Sequence, residues 1–289
     1  MAGARGVPIP APTETERSSR AGGLARRVLS TLVLLPAFVW VLLGMPAWVF
    51  TLVIVVVSML ANWEFTRMFA RAEVPVLREA GLVWGGLVTL TFTRPERAEA
   101  AFALVVIGLL VASLDPGAAG SARWQRVAVT LLGICYVNWL LGHVISLRSL
   151  PDGLHWILLL VWITWLGETA AYGVGSLVGR HKLAPRISPG KTIEGAVAQF
   201  VVSVLAAVTA SGWLFPGLVL RDALVAGVLL GVVGQVGDLV ESALKRSVGA
   251  KDTGRVIPGH GGILDRIDGL LFNAPALFYY VTYGRALHA

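Results

Sequence analysis

Residues 222–268 read DALVAGVLLGVVGQVGDLVESALKRSVGAKDTGRVIPGHGGILDRID. Positions 222–241 are dominated by apolar side chains and have the length of a membrane-crossing helix, about 20 residues. From Ser242 to Asp268 the chain becomes dense in Lys, Arg, Asp and Gly. Lipid cannot satisfy such groups, so this polar run belongs at a bilayer surface. On the helix leading into it, Asp238, Glu241, Ser242 and Lys245 are spaced i, i+3, i+4 and i+7, within an arc of about 100°. Gly231 and Gly234 extend that face and would admit a partner backbone or a substrate. Lys245 and Arg246 have stems long enough to snorkel. The short Asp238 carboxylate does not, and needs either a water-filled cavity or a cation. A metal ion, a polyphosphate and a lipid headgroup meeting at a membrane surface would use this set of groups.

The whole chain supports a membrane reading. Its 289 residues are 56% hydrophobic and 14% charged, with a mean hydropathy of +0.74, the composition of a polytopic membrane protein rather than two soluble domains. The single cysteine, Cys135, lies in an apolar run, which excludes an intramolecular disulfide and a cysteine-based metal site. The net charge of +7 is spread over short interhelical loops, so anionic headgroups and nucleotide phosphates are the expected partners, not nucleic acid. Residues 1–26 read as a flexible cytoplasmic tail. Arg26-Arg27 precedes an apolar run with no small-residue cleavage site after a short core, so a signal peptide is not expected.

Nine apolar runs are expected to form an all-α bundle: about 28–44, 47–62, 80–93, 99–114, 126–147, 154–178, 193–216, 222–241 and 269–286. Gly44-Met45-Pro46 should break the first long run into a hairpin, since proline removes a backbone donor. No internal repeat is visible, which gives an inverted-repeat transporter no support. With the N-terminus in the cytoplasm, alternating spans put 19 of the 24 Lys and Arg residues inside, as the positive-inside rule requires. Both polar segments then share the cytoplasmic face. Residues 27–289 form the membrane-embedded domain, with N-terminal spans over 27–150 and the chemistry over 151–289.

Asp265 and Asp268 stand three apart at the start of the last span. Mg²⁺ takes hard oxygen ligands from one or two carboxylates plus substrate phosphates. Asp238 and Asp265 are the first candidate ligands, with Glu241 and Asp268 completing the shell or orienting it. Helix capping would explain one acid of the Asp265/Asp268 pair, but not both beside His260-Gly261-Gly262. These glycines would let loop amides approach a phosphate at a helix N-terminus. The second polar segment, GRHKLAPRISPGKTIE over 179–194, contains Gly190-Lys191-Thr192. A P-loop there would need glycine at 185, where Pro185 stands. Gly173, Gly175 and Gly179 miss the dinucleotide spacing by one residue and fit close helix packing instead. Glu168 lies within the sixth run, where a carboxylate must be paired, protonated or hydrated. Glu64 and Asn138 are expected to make structural polar contacts.

The spaced pattern Ser242, Lys245-Arg246, Lys251-Asp252, His260-Gly261-Gly262, Asp265-Arg266 and Asp268 resembles the membrane-embedded phosphatidate cytidylyltransferases, or CDP-diacylglycerol synthases. Ser188-Pro189-Gly190-Lys191-Thr192-Ile193-Glu194-Gly195 is similar to a second element of that family. The resemblance covers 160–289 in detail and the span layout more loosely. It implies transfer of CMP from CTP to phosphatidic acid, yielding CDP-diacylglycerol and pyrophosphate in phospholipid biosynthesis at the plasma membrane. It further implies Mg²⁺, with a second, monovalent cation such as K⁺, and a homodimer. Under it Asp238, Lys245, Asp265 and Asp268 would be catalytic. Ser188, Lys191, Thr192, Ser242, Arg246, Lys251, His260, Gly261, Gly262 and Arg266 would hold substrate, and Asp238, Asp265, Glu241 and Glu168 the metal. The family usually shows Asp-Thr where this chain has Glu168-Thr169, which moves the acid about one methylene outward. A cation-coupled transporter would also bury Glu168 and Asp238, but leaves the His-Gly-Gly and Asp-Arg-x-Asp elements without a role. A CTP-dependent lipid kinase is the nearest rival enzyme. The Asp-Gly-x-x-Ala-Arg element of CDP-alcohol phosphotransferases is absent.

Overall fold

The computed structural model describes residues 36–114, 120–254, 256 and 261–285, so the expected tail and the start of the first run lie outside the described residues. The chain is nearly all helical. Helix α1 (36–44) stops before Pro46, and α2 (Ala47–Arg71) starts directly after it. There follow α3 (Arg78–Thr91), a 3-10 turn at Pro95–Arg97, α4 (Ala98–Ala112), α5 (Ser121–Gly133), a π-helical stretch at Ile134–Trp139, and α6 (Leu140–Ser149). Then come α7 (Gly153–Val178), α8 (Ile193–Trp213), α9 (Leu220–Ser247) and α10 (Leu264–Tyr279), the last running into a π-helical turn at Tyr280–Gly284.

Five helical stretches are long and apolar enough to cross a bilayer: Ala47–Arg71, Ser121–Ser149, Gly153–Val178, Ile193–Ala210 and Leu220–Ser247. Leu52, Leu104, Leu205 and Val232 face outward. An apolar exterior of this kind needs lipid rather than water, and the chain is a multi-pass membrane protein. The third and fourth apolar runs form helices of only 14 and 15 residues, about 22 Å long against a hydrocarbon core of about 30 Å.

One element departs from the all-α expectation. Between α7 and α8 the chain forms an antiparallel hairpin, β1 (Lys182–Ala184) with β2 (Ser188–Thr192), pairing Lys182 with Thr192 and Ala184 with Ser188. The turn contains Pro185 and is closed by the Ile187 amide on the Ala184 carbonyl at 3.1 Å. Two prolines and a glycine in so short a segment hide any strand alternation from a sequence reading.

Small residues set how closely the helices approach. A Cβ at Gly227 of α9 would lie 2.6 Å from the Val204 Cα of α8, and one at Gly234 would lie 2.8 Å from Asn273 of α10. The face inferred for close approach therefore receives two neighbouring helices, as small residues in membrane bundles allow. Helices α7, α8, α9 and α10 pack in that sequence, while α10 also lies against α6 and α2, joining the C-terminal helices to the N-terminal ones. In the N-terminal part, Asn138 donates to Ser58 Oγ at 3.1 Å and to Thr89 Oγ1 at 3.3 Å, and accepts from Asn62, giving buried polar groups partners across helices.

The far end of α9 is tied down separately. Asp222, only 2% exposed, meets Arg285 Nε at 2.8 Å and accepts from the Tyr280 hydroxyl at 2.8 Å, anchoring the end of the α10 segment to the start of α9. Asp222→Ala is expected to cost about 2 kcal/mol, the worth of charged hydrogen bonds lost from a buried site. Thermal unfolding in detergent should shift down by several degrees with turnover at low temperature preserved. An unchanged midpoint would show that this network adds nothing.

Candidate active site

The second polar segment reaches the α9 face through local geometry that its sequence encodes. Thr192 caps α8, its hydroxyl accepting the Gly195 amide at 3.1 Å, as threonine does at a helix N-terminus. A side chain at Gly195 would press on the Ala171 carbonyl of α7 at 2.7 Å, so glycine lets α7 and α8 converge beneath the hairpin. Lys191, on the strand before the cap, then extends to α9, where its Nζ lies 2.8 Å from Asp238 Oδ2. Glu194 in the first turn holds the hairpin from the other side, its Oε1 lying 2.7 Å from His181 Nδ1.

A cavity of about 360 Å³ opens at this junction. Its walls include Glu168 and Tyr172 of α7, Ser188, Lys191 and Thr192 of the hairpin, Gln199 of α8, and Gln235 and Asp238 of α9. Two segments separated by some forty residues thus contribute a cation and an anion to one concave surface.

Deeper along the α9 face, Asp238 and Glu241 meet Asp268 of α10, each offering an oxygen within 4.8 Å of the others. Glu241 is 1% exposed; its Oε2 accepts from Lys245 Nζ at 2.7 Å, while Oε1 is buried without a hydrogen-bond partner among the described residues. Three carboxylates this close repel one another, and an orphaned buried oxygen is costly. A hard divalent cation would resolve both, so the donor set fits one. Asp268 Oδ1 meanwhile accepts the Gly269 amide at 2.9 Å, which fixes its orientation.

Asp265 has a different set of partners. Its Oδ1 accepts from Lys245 Nζ at 2.9 Å, and its Oδ2 accepts the Thr253 amide at 3.0 Å and the Thr253 hydroxyl and Gly262 amide at 2.9 Å each. Burial works against its ionisation, and Lys245 with the Gly262 and Thr253 amides overcomes it, holding the carboxyl below the usual carboxylate range. The two helices do converge through carboxylates, but among the described residues the close trio contains Asp268, and Asp265 organises the loop. The Gly262 amide, expected to face a phosphate, is engaged by Asp265. Gly261 has φ +86°, a conformation that strongly favours glycine.

Other expected site residues are distributed around this centre. Ser242 is buried one turn from Asp238, while Lys251 and Arg266 are exposed. Arg246 is exposed and donates from Nη1 to the Ala250 carbonyl at 2.8 Å. Glu168 packs over Gly269, where a Cβ would collide with its Oε1. His260 lies outside the described residues. Thr253, whose amide and hydroxyl both serve Asp265, went unrecognised in the sequence; Glu64, expected to make a structural polar contact, accepts the Leu264 amide through Oε2 at 2.9 Å. The only sequence signal for Glu64 is a carboxylate inside an apolar helix.

Comparison with known proteins identifies relatives of this chain. A phosphatidate cytidylyltransferase of Staphylococcus haemolyticus is 37% identical over 174 residues, covering 60% of this chain and 66% of that protein. Its counterpart in Staphylococcus aureus is 36% identical over 182 residues, with the same coverage. An uncharacterised Escherichia coli protein, YnbB, is 39% identical over 163 residues, covering 56% of this chain and 54% of its own length. These matches therefore span somewhat under two thirds of the relatives' length. The model of the cytidylyltransferase family matches residues 25–284. A match that takes in both polar segments and all three clustered carboxylates places this chain in the cytidylyltransferase family.

Proposed function

We infer that this chain transfers CMP from CTP to phosphatidic acid, giving CDP-diacylglycerol and pyrophosphate. The observation that carries the reading is the convergence of Lys191 with Asp238 beside the Asp238–Glu241–Asp268 trio, where a nucleotide and an anionic lipid can meet. The named staphylococcal relatives support the same substrates. A phosphate oxygen of phosphatidic acid bonds to the α-phosphorus of CTP as the bond to the bridging oxygen of pyrophosphate breaks. The attacking oxygen is already anionic near neutral pH, so no strong general base is needed. The obstacle is repulsion between polyanions, which positioning and fixed positive charge overcome.

Asp238, Glu241 and Asp268 would hold Mg²⁺, and the cation when bound there would neutralise phosphate charge. Lys191, Arg246, Lys251 and Arg266 supply cationic groups for the phosphates, with Ser188, Thr192, Ser242 and the Gly261-Gly262 backbone lining their approach. Lys245 bridges Glu241 and Asp265, linking the trio to the loop. Asp265 acts through Lys245 and Thr253 rather than as a first metal ligand. Glu168 lies at the cavity wall, where a K⁺ ion would be a second counter-charge. The remaining inferences are nine spans with a cytoplasmic N-terminus, a plasma-membrane location with the site facing the cytoplasm, and a homodimer. The basic-residue distribution supports the orientation.

Purified protein incubated with radiolabelled CTP, phosphatidic acid and Mg²⁺ should yield a labelled liponucleotide and pyrophosphate. CDP with no labelled lipid would instead indicate a lipid kinase. Solute flux across vesicles without CTP consumption would indicate a transporter.

A further inference from the structure

Glu64 belongs to α2, far in sequence from every group assigned above, and is fully buried. Its Oε2 accepts the Leu264 amide at 2.9 Å and lies 3.4 Å from the Thr253 hydroxyl. Leu264 begins α10, so this bond satisfies one of the first-turn amides that have no partner within their own helix. Thr253 stands in the first half of the loop that joins α9 to α10. Its one hydroxyl proton lies between two carboxylates, Asp265 at 2.9 Å and Glu64 at 3.4 Å.

The glycines of the loop record the same contact. A Cβ at Gly254 would collide with Glu64 Oε1, and one at Gly262 would collide with both Glu64 Oε2 and the Thr253 hydroxyl. The loop therefore meets the Glu64 carboxylate at two points, Gly254 and Gly262, at distances only glycine allows. Its Oε1 is buried with no hydrogen-bond partner among the described residues, a desolvation cost with no local return.

We propose that Glu64 is a positioning residue for this site: the carboxylate that ties the Thr253-Gly254 stretch of the α9–α10 loop to the start of α10. It sets the start of α10, and so the placement of Asp265 and Asp268 relative to α9. The kinetic consequence rests on the cytidylyl-transfer reading; the loop placement does not.

The test pairs kinetics with limited trypsin digestion of the full-length protein in detergent, cleavage being followed after Lys251 and Arg255. In Glu64→Ala, kcat should fall about a hundredfold, the scale expected for misplacement of about 1 Å. Cleavage in the loop should be about tenfold faster with other sites unaffected, the mark of a local rather than global opening. Glu64→Gln keeps a carbonyl acceptor for the Leu264 amide and should restore protection and kcat to within about fivefold. Gly254→Ala, which crowds the contact without altering Glu64, should open the loop as Glu64→Ala does. Wild-type cleavage in Glu64→Ala, faster cleavage at every site, or a Gln variant as impaired as Ala would each overturn the proposal. Should the wild-type protein fail to consume CTP, the digestion alone still decides it.

Discussion

Asp268→Asn is expected to lower kcat about a thousandfold, because charge stabilisation by a bound metal is worth several kcal/mol and each 1.36 kcal/mol is tenfold in rate. The fold should survive, since asparagine retains an oxygen to accept the Gly269 amide that Asp268 Oδ1 now accepts at 2.9 Å. Asp268 lies close to Asp238 and Glu241, with an oxygen of each within 4.8 Å. Removing its charge relieves their repulsion, so without divalent cations the variant should unfold at a higher temperature than the wild type. Adding Mg²⁺ should then raise the wild-type midpoint and leave that of the variant unmoved, since only a bound ligand shifts the equilibrium. Near-normal turnover, or an undiminished response to Mg²⁺, would remove Asp268 from the metal set.

Asp265→Asn should also be severe, for a different reason. Among the described residues this side chain accepts four hydrogen bonds, one from Lys245, two from Thr253 and one from Gly262. An amide must turn its NH₂ toward either the Lys245 ammonium or the loop amides, leaving donor against donor. The loop and Lys245 then lose their shared anchor, with an expected loss of about a hundredfold in kcat from misplacement and about 2 kcal/mol of stability. Its thermal response to Mg²⁺ should persist, in contrast to Asp268→Asn. A lost response would make Asp265 a ligand after all.

The contrast between these two aspartates shows where sequence reading reached its limit. Helical spacing was enough to place Asp238 and Glu241 of α9 on one face, and the structure finds both in one acidic trio. Choosing between Asp265 and Asp268 required the rotation of α10 about its axis, which depends on tertiary packing. Residues three apart point about 60° from each other, so either could have faced α9. Glycines in α9 signalled close packing in advance. The hairpin at 182–192 did not show itself, because Pro185 and Pro189 mask strand alternation. Glu64 was harder still: its partner Leu264 is 200 positions away, and nothing local to Trp63-Glu64-Phe65 distinguishes a loop anchor from a structural carboxylate.

We infer that Asp238, Glu241 and Asp268 bind one divalent cation where the two phosphate-bearing substrates meet. Anomalous diffraction from crystals grown with Mn²⁺ in place of Mg²⁺ tests it most directly. A manganese peak is expected within about 2.5 Å of an oxygen from each of the three side chains. A peak bound elsewhere, with these carboxylates left uncoordinated, would contradict it.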